Sequence, residues 1–418
     1  MQLNKIELEN FRKFKKLEVQ LKAGVNILIG DNASGKTSIL EAISIIIGSF
    51  FSGINSRFAI SPSISPTKDV SFIKNKEGQL SRQYPTKLRA QGTVFDKEVI
   101  WNRELNSAKG ATTKSGLSDL KVIIAENCNK KDLPVLAYYS TTRLQSDKNN
   151  STSYKKDEIF EAYQNALNAK TSVNKFIKWF ENEDRISYQN KSNTFALDIV
   201  SEAIKHCIPD CKRVYYDARL GEIVIQNLNK EITLFSLMSD GYKMITSLVG
   251  DLSYRCSVLN AHLKEKCLRE TKGVVIIDEI ETHLHPSWQQ NIINELSRVF
   301  PKIQFVISTH SPIVLSAAKA NVIGLDNNHS LEKSRKIYAY GRNLENIMVS
   351  EQGVYPRLSS IQNQIDRFYE LIESKAGLEE AERILKELFV GQFGESDPET
   401  IRAISDYELA KIEFKEDH

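Results

Sequence analysis

The stretch Gly30-Asp31-Asn32-Ala33-Ser34-Gly35-Lys36-Thr37 decides the fold of this 418-residue chain. It satisfies the pattern GxxxxGK[ST], follows the short apolar run Val25–Ile29, and precedes the apolar segment Ser38–Ile47, which has helical length. Glycines let the backbone wrap so that successive N–H groups point at phosphate oxygens, and a helix N-terminus adds partial positive charge there. The sequence therefore predicts a nucleotide-binding strand, loop and helix.

The side chains of this loop have separate chemical tasks. Lys36 reaches the β- and γ-phosphates, and the Thr37 hydroxyl is suited to coordinate Mg²⁺. We expect nucleotide contacts from seven residues of the loop and the helix start: Gly30, Asn32, Ser34, Gly35, Lys36, Thr37 and Ser38. The expected cofactors are ATP and Mg²⁺.

A second apolar run, Gly273–Ile277, ends in the two carboxylates Asp278 and Glu279. In a parallel sheet the carboxyl ends of the strands meet at one edge, where the phosphate loop also lies. Asp278 is placed to hold Mg²⁺, directly or through water. Glu279 is placed to polarise the attacking water as a general base.

His310 follows a third apolar run, Ile303–Ser308. A histidine at a strand end can reach a γ-phosphate, and a satisfied loop histidine is the alternative interpretation. The separation of 31 residues between Glu279 and His310 is enough for one helix and one strand. That spacing favours the phosphate-contacting role.

Composition narrows the class of protein. Apolar residues make up 41% and charged residues 26%, which is typical of a globular chain and excludes disorder for most of it. The net charge of +3 argues against a protein dedicated to coating nucleic acid. Five scattered cysteines without a CxxC pair, and a start without an apolar leader, predict a reduced cytoplasmic protein.

The order of predicted elements indicates an α/β ATPase core with an antiparallel β flank, a helical insert and a mainly helical C-terminal region. Single helices are predicted over 240–268 and 287–299. Four segments follow: an N-lobe over 1–150, a helical lid over 151–212, a C-lobe over 213–330, and the C-terminal region over 331–418.

Four motifs together resemble the ABC-type ATPases of the SMC and RecF group. They are the phosphate loop, Met238-Ser239-Asp240-Gly241, the Asp278-Glu279 strand end, and Ser308-Thr309-His310-Ser311. The resemblance implies an SMC-head-type P-loop core in which Ser239 and Gly241 contact the γ-phosphate held by another subunit. Asp240 and Tyr242 depart from the usual signature, and Ser239 alone is only a helix N-cap.

The same resemblance assigns two further elements. Gln145, after the run Pro134–Tyr139, is similar to the glutamine of the family's Q-loop and is implied as a Mg²⁺ ligand. His283 and His285 fall in the segment that forms the D-loop at the family's dimer interface, rather than a metal site.

The segment Glu279–Gln289, with Ser308–Pro312, resembles more closely the PtuA-like ATPases of Septu and retron anti-phage defence systems. That resemblance implies a regulatory ATPase whose nucleotide state controls a separate HNH-type, PtuB-like effector nuclease. It implies a homodimer or higher homo-oligomer with ATP at the subunit interface, contact with DNA or a retron RNA–DNA molecule, and no membrane. We find no nuclease motif in the chain itself. A RecF-like DNA-binding repair ATPase is the alternative.

Two apolar stripes at helical spacing mark the C-terminal region. The first contains Ile361, Ile365, Phe368, Tyr369 and Ile372, and the second contains Leu378, Ala381, Ile384, Leu385 and Leu388. Such stripes normally face a core or another helix. Packing against the ATPase core of the same chain is one interpretation, and docking of the nuclease or of a neighbouring ATPase is the other.

Overall fold

The computed structural model describes residues 1–74, 78–113, 115–130, 132–141, 159–168, 173–191, 194–325, 334–374 and 377–416. The chain divides into two compact units, Met1–Ile347 and Met348–His418. The predicted start of the C-terminal region at residue 331 differs from this division. A strand over Arg335–Ile337 still pairs with the central sheet, and Ile347 still lies in the core of the first unit.

The described residues form fifteen strands. They are β1 (Gln2–Phe11), β2 (Phe14–Gln20), β3 (Val25–Ile29), β4 (Phe72–Lys74), β5 (Leu80–Arg82), β6 (Thr86–Val94), β7 (Lys97–Leu105), β8 (Val135–Tyr139), β9 (Cys211–Asp217), β10 (Glu222–Asn227), β11 (Ile232–Leu234), β12 (Gly273–Ile277), β13 (Ile303–Ser308), β14 (Asn321–Gly324) and β15 (Arg335–Ile337).

They also form thirteen α-helices. These are α1 (Lys36–Ile47), α2 (Ser118–Asn127), α3 (Val173–Asn190), α4 (Phe195–Cys207), α5 (Asp240–Leu259), α6 (Cys267–Glu270), α7 (Pro286–Gln289), α8 (Ile292–Val299), α9 (Pro312–Ala317), α10 (Leu344–Gln352), α11 (Ser359–Glu373), α12 (Leu378–Ile384) and α13 (Pro398–Glu416). Short 3₁₀ segments and one π-helical segment, Leu385–Phe393, join them.

A six-stranded sheet forms the centre of the first unit, in the order β15-β14-β3-β13-β12-β8. All neighbours are parallel except β15, which pairs antiparallel with β14 at one edge. Every residue of β3, β8, β12 and β13 is buried, which explains why these strands are continuous apolar runs in the sequence. The carboxyl ends of β3, β12 and β13 therefore meet at one edge, as predicted for an ABC- and SMC-type α/β fold.

An antiparallel sheet of order β2-β1-β6-β7 flanks this core. The indole Nε1 of Trp101 on β7 donates a hydrogen bond to the carbonyl of Ile46 on α1, at 3.0 Å. The side chain of Gln304 on β13 exchanges two hydrogen bonds with the backbone of Leu3 on β1, each at 2.7 Å. These buried bonds fix the flank both to the helix that follows the phosphate loop and to the central sheet.

The helical segment Lys36–Gly53 is apolar and long enough, by length and composition, to cross a membrane. It is 72% buried inside the protein, where α1 lies against the central sheet. Its apolar side chains belong to the hydrophobic core of the first unit.

Two predicted helices are shorter than expected. The helix predicted over 240–268 ends at Leu259, because the side chain of Asn260 instead binds the backbone N–H and carbonyl of Leu133, at 2.8 and 2.9 Å. The helix predicted over 287–299 is divided into α7 and α8. Between them the Asn291 side chain donates to the carbonyl of Ser287 at 2.9 Å, so a side chain satisfies a helical carbonyl there.

The second unit has a hydrophobic core of its own. Phe368 and Phe389 lie at its centre with ring centroids 4.9 Å apart, and both rings are buried. The buried members of both predicted stripes belong to this cluster: Ile365, Phe368, Ile372, Ala381, Leu385 and Leu388. The interpretation that they pack against the ATPase core therefore differs from the structure, because α11, α12 and α13 bury them among themselves.

Candidate functional site

The phosphate loop connects β3 directly to α1, as the motif predicts. The Nζ of Lys36 donates hydrogen bonds to the carbonyls of Gly30 and Asp31, at 2.7 and 3.0 Å, so the lysine lies across the mouth of its own loop. The Ser34 hydroxyl is fully buried and has no hydrogen-bond partner among the described residues. An unsatisfied buried hydroxyl is costly, and a phosphate oxygen in the loop would give it an acceptor.

Gly35 allows a close approach to the turn between β1 and β2. Its φ is +100°, and a Cβ at this position would lie 2.4 Å from Cζ of Phe14. The same turn donates a hydrogen bond from Nζ of Lys13 to the carbonyl of Ala33, at 2.6 Å. Only glycine fits here, because both the backbone conformation and the available space exclude a side chain.

Thr37 and Asp278 meet at this edge of the sheet. The Thr37 hydroxyl donates to Oδ2 of Asp278 at 2.9 Å, and the Ser308 hydroxyl donates to Oδ1 of the same carboxylate. The backbone N–H of Asp278 donates to the carbonyl of Tyr139 at the end of β8, at 2.8 Å. Asp278 is buried, and its two oxygens are held by β13 on one side and by the phosphate loop on the other.

The pair Thr37 and Asp278 fits Mg²⁺ chemically. A hydroxyl and a carboxylate are hard oxygen ligands, and Mg²⁺ in nucleotide sites is usually held by one or two protein groups together with substrate phosphates. Within the described ranges, no group of three or more His, Cys, Asp or Glu side chains is arranged to hold a metal alone. This geometry suits a metal that arrives with phosphate.

Glu279 adopts an unusual backbone conformation just beyond β12. Its φ is +46°, in the left-handed region that non-glycine residues rarely occupy. The backbone N–H donates to the Ser308 hydroxyl at 2.8 Å, and the carboxylate accepts from the Thr282 hydroxyl at 3.3 Å. Such strain persists where the surroundings fix it, and it is concentrated at functional sites.

Glu281 is a site residue that the sequence prediction missed. Its Oε2 accepts from the Thr309 hydroxyl at 2.7 Å, and its Oε1 accepts from the backbone N–H of His310 at 2.5 Å. The carboxylate thus fixes the loop after β13 from the loop after β12. Its only signal in the sequence was its place in the quoted segment Glu279–Gln289.

Burial and neighbouring charges act in opposite directions on Lys36. Burial lowers the pKa of Lys36, and the nearby carboxylates of Glu279, Asp278, Asp31 and Glu281 oppose that effect. Removing water from an ammonium group disfavours its charged form, whereas an anion beside it favours that form. A bound polyphosphate would therefore stabilise the charged lysine.

Ser239, Asp240 and Gly241 lie at the start of α5. The Ser239 side chain is exposed and does not cap the helix by a hydrogen bond. Gly241 is buried, and a Cβ there would lie 2.7 Å from the backbone oxygen of His283. The Nδ1 of His283 is 4.0 Å from a carboxylate oxygen of Asp240. The predicted signature therefore packs on the predicted D-loop of the same chain.

A buried polar network fixes α5 to the end of β8. The hydroxyl of Tyr139 and Nε of Arg255 both donate to Oδ2 of Asp251, each at 2.7 Å. Arg255 also donates to the carbonyl of Ala162, in the 3₁₀ segment Ile159–Tyr163. Burial raises the pKa of the Tyr139 hydroxyl well above its usual value, so it stays a donor.

The structure does not place every predicted site residue in one cluster. Lys36, Thr37, Asp278, Glu279 and His310 share one edge of the sheet through the bonds described above. Ser239 and Gly241 form a separate group, and the predicted Gln145 lies outside the described residues. Asn32 is exposed and Ser38 half-buried in the loop and the first turn of α1.

Two family models match the chain. An AAA domain model matches residues 5–212. A second AAA domain model, associated with the AbiEii toxins of type IV toxin–antitoxin systems, matches residues 144–316. Together they span the phosphate loop, the Asp278-Glu279 strand end and His310.

Retron and Septu relatives are similar in sequence over most of the chain, whereas a RecF relative matches only part of it. The Retron Vc95 probable ATPase of Vibrio cholerae serotype O1 biovar El Tor is 28% identical, with 78% of this chain and 74% of the relative covered. The Septu protein PtuA of Bacillus thuringiensis is 24% identical, with 84% and 81% covered. The DNA replication and repair protein RecF of Desulforudis audaxviator (strain MP104C) is 31% identical over only 25% of this chain and 28% of the relative.

Among solved structures, an SMC head domain with a coiled coil and joint from Pyrococcus yayanosii is 14% identical. The superposition has a TM-score of 0.47 and covers 84% of this chain and 99% of that chain. The chain is an ATPase with an AAA domain, and over most of its length it is similar to the retron ATPases and the Septu PtuA proteins.

Proposed function

We propose that this ATPase binds ATP with Mg²⁺ between two copies of the chain, and that its nucleotide state controls a separate HNH-type effector nuclease in a cytoplasmic anti-phage defence complex. The observation that supports it most is the contact between Thr37 and Asp278, which brings the phosphate loop and the acidic strand end together. Lys36 lies in the same loop, and Glu279 follows Asp278 directly.

Each residue has a role that its geometry allows. Thr37 and Asp278 would hold Mg²⁺, with Gln145 as a further ligand, and the metal would offset phosphate charge. Lys36 exchanges its bonds to the carbonyls of Gly30 and Asp31 for phosphate oxygens. Glu279 accepts a proton from the attacking water as the general base.

His310 contacts the γ-phosphate in this proposal. Glu281 holds the backbone N–H of His310 at 2.5 Å, so the imidazole starts from a fixed point in the loop. The histidine would therefore distinguish ATP from ADP, because only ATP has the third phosphate. This difference is what a nucleotide-dependent regulator requires.

A second copy completes the site. The exposed Ser239 side chain makes no capping bond, and Gly241 leaves the start of α5 without a side chain over the predicted D-loop. Ser239 and Gly241 would donate to the γ-phosphate held by the phosphate loop of the partner copy. ATP would then stabilise the dimer, because it contacts both copies.

The effector nuclease and the role in anti-phage defence are proposed from the similarity to the relatives. The Septu proteins named PtuA and the retron ATPases match most of this chain, which supports a role in defence with an effector subunit. Within this chain we identified no nuclease motif. A RecF-like repair ATPase is the second candidate, supported by the match over a quarter of the chain.

Co-expression with a PtuB-like HNH nuclease tests the proposal. The wild type, Lys36→Ala and Glu279→Gln would be purified with that nuclease, and both ATP turnover and DNA cleavage would be measured. We expect the complex to cleave DNA, and the two variants to change cleavage in opposite directions, because one empties the site and the other keeps ATP. Equal cleavage by all three complexes would contradict control by nucleotide.

DNA cleavage, co-purification with the nuclease and the response of ATP turnover to DNA distinguish the two candidate functions. A regulatory ATPase hydrolyses ATP without cutting DNA and co-purifies with the nuclease. A RecF-like protein would purify without a nuclease, and DNA ends or gaps would stimulate its ATP turnover.

A further inference from the structure

A groove of about 640 Å³ lies at the amino edge of the central sheet, opposite the phosphate loop. Its wall includes Gly24 before β3, Pro301 before β13 and Asn321 at the start of β14. Because these strands are parallel, their amino ends meet at one edge just as their carboxyl ends do. The groove is therefore separate from the ATP site.

Three lysines line this groove, and no carboxylate is among the described residues that line it. They are Lys22, Lys319 and Lys336, and all three are exposed. Neither Lys22 nor Lys319 forms an ion pair with any residue that the structure describes. Three positive charges in one concave surface favour a polyanion.

Alternation along β15 and the residues after it places aromatic rings beside these lysines. Ile337 and Ala339 are buried, whereas Lys336, Tyr338 and Tyr340 are exposed. Tyr338 is 73% exposed and Tyr340 is 62% exposed, which is a large apolar area for a surface. Nζ of Lys336 lies 4.5 Å from the Tyr338 ring centroid and donates to its hydroxyl at 3.0 Å.

The positive charge is concentrated in the groove itself. A second cavity of about 540 Å³ shares Ala23, Gly24 and Pro301 with it. Three lysines line this cavity (Lys130, Lys272 and Lys302), but Asp96 and Asp132 line it too, and Lys272 and Lys302 pair with Asp96 and Glu270. The candidate polyanion site is therefore the groove alone.

We propose that this groove binds a single-stranded nucleic acid, with phosphates on Lys22, Lys319 and Lys336 and bases stacked on Tyr338 and Tyr340. Lysines that follow a backbone and exposed rings that accept unpaired bases are the two components of such sites. The exposed rings favour a single strand over a duplex, whose bases are already stacked on one another. The groove gives this ATPase a nucleic-acid contact independent of its nucleotide.

Fluorescence anisotropy with a labelled oligothymidine of about 20 nucleotides tests the proposal, using the full chain at salt between about 50 and 200 mM. We expect Lys22→Glu/Lys319→Glu to weaken binding and to reduce the slope of log K against log salt by about 1.4, since each phosphate contact on a single strand contributes about 0.7. The matched control Lys68→Glu/Lys212→Glu makes the same charge change on other exposed lysines.

The tyrosines are tested separately from the charges. Tyr338→Ala and Tyr340→Ala should each weaken binding about 5- to 150-fold, the range for loss of one stacked base. Tyr338→Phe and Tyr340→Phe keep the rings and should bind like the wild type. A duplex of the same length should bind more weakly than the single strand and should not respond to the alanine changes.

ATP turnover without nucleic acid shows whether the variants remain folded. We expect wild-type turnover from all of them, and Lys22→Gln/Lys319→Gln replaces the reversal if that variant is inactive. Three results would overturn the proposal: no binding by the wild type at low salt, equal binding by the groove pair and the control pair, or equal binding by the alanine and phenylalanine variants. None of these results affects the proposed ATP site.

Discussion

Glu281 and His310 are joined across two neighbouring strands: the Glu281 carboxylate accepts the backbone N–H of His310 at 2.5 Å. The same carboxylate accepts the Thr309 hydroxyl at 2.7 Å. β12 and β13 are adjacent and parallel, so the loops that follow them meet. A charge-assisted pair of this kind fixes a loop more firmly than a neutral bond would.

Replacing Glu281 by Ala should lower kcat more than it changes KM for ATP. The loop after β13 loses two bonds to a carboxylate, and bonds to charged groups contribute about 1.5–3 kcal/mol each, so we expect a decrease of roughly 10-fold or more. Glu281→Gln keeps one acceptor and should be intermediate. Steady-state kinetics measure both constants, and an unchanged kcat in Glu281→Ala would show that the loop does not need this carboxylate.

Glu279→Gln should retain ATP and lose turnover by roughly 10²- to 10⁴-fold, since the amide cannot accept the proton from water. Lys36→Ala should instead lose ATP binding. Equilibrium binding of a fluorescent ATP analogue and phosphate release separate the two effects. Glu98→Gln changes an exposed glutamate on β7 and should behave like the wild type. Full turnover by Glu279→Gln would remove this residue from the mechanism.

Mixtures of Lys36→Ala and Ser239→Arg subunits should recover part of the activity that each variant lacks alone. In a mixed dimer one site combines the intact loop of one copy with the intact signature of the other, whereas the second site contains both defects. Phosphate release would be measured after the two variants are co-refolded or exchanged. No recovery from stably mixed dimers would indicate a site formed within one chain.

Truncation after Ile347 should leave a folded ATPase that no longer co-purifies with the nuclease. The second unit has its own core, and α13 leaves Ile401 57% and Leu409 56% exposed on its outer side. Exposed apolar side chains along one helix are typical of docking surfaces.

A full-length test of the same surface uses Ile401→Asp/Leu409→Asp, with Asn363→Asp/Gln364→Asp at exposed positions of α11 as the matched control. Co-purification should be lost in the first protein and kept in the second, at wild-type ATP turnover in both. Retention of the nuclease by the truncated chain would place docking in the first unit.

The sequence allowed the central sheet to be predicted because each buried parallel strand is a continuous apolar run. Residues that belong to a single sequence motif, such as Lys36 and Thr37, could also be recognised as candidate site residues from the sequence. The role of Glu281 was not, because it depends on the register of β12 against β13. The groove at the amino edge was equally hidden, since Lys22, Lys319 and Lys336 come from segments far apart in the chain.

Helix ends were less predictable than helix existence. Asn260 and Asn291 stop regular helices through side-chain bonds that an apolar pattern does not reveal. The C-terminal stripes were recognised, but their partner was not, because an amphipathic pattern gives the face of a helix and not what covers it.

The close approach of Gly241 to the carbonyl of His283 has a consequence for the proposed dimer. When the start of α5 in one copy binds the γ-phosphate held by the other copy, any movement of α5 is transmitted through this contact to the segment that runs back from His283 to Glu281 and Glu279 of the same copy. ATP bound in the partner's site would then change the position of Glu279, the proposed general base, in the first copy. We therefore expect turnover to rise with ATP along a sigmoidal curve, with a Hill coefficient above one.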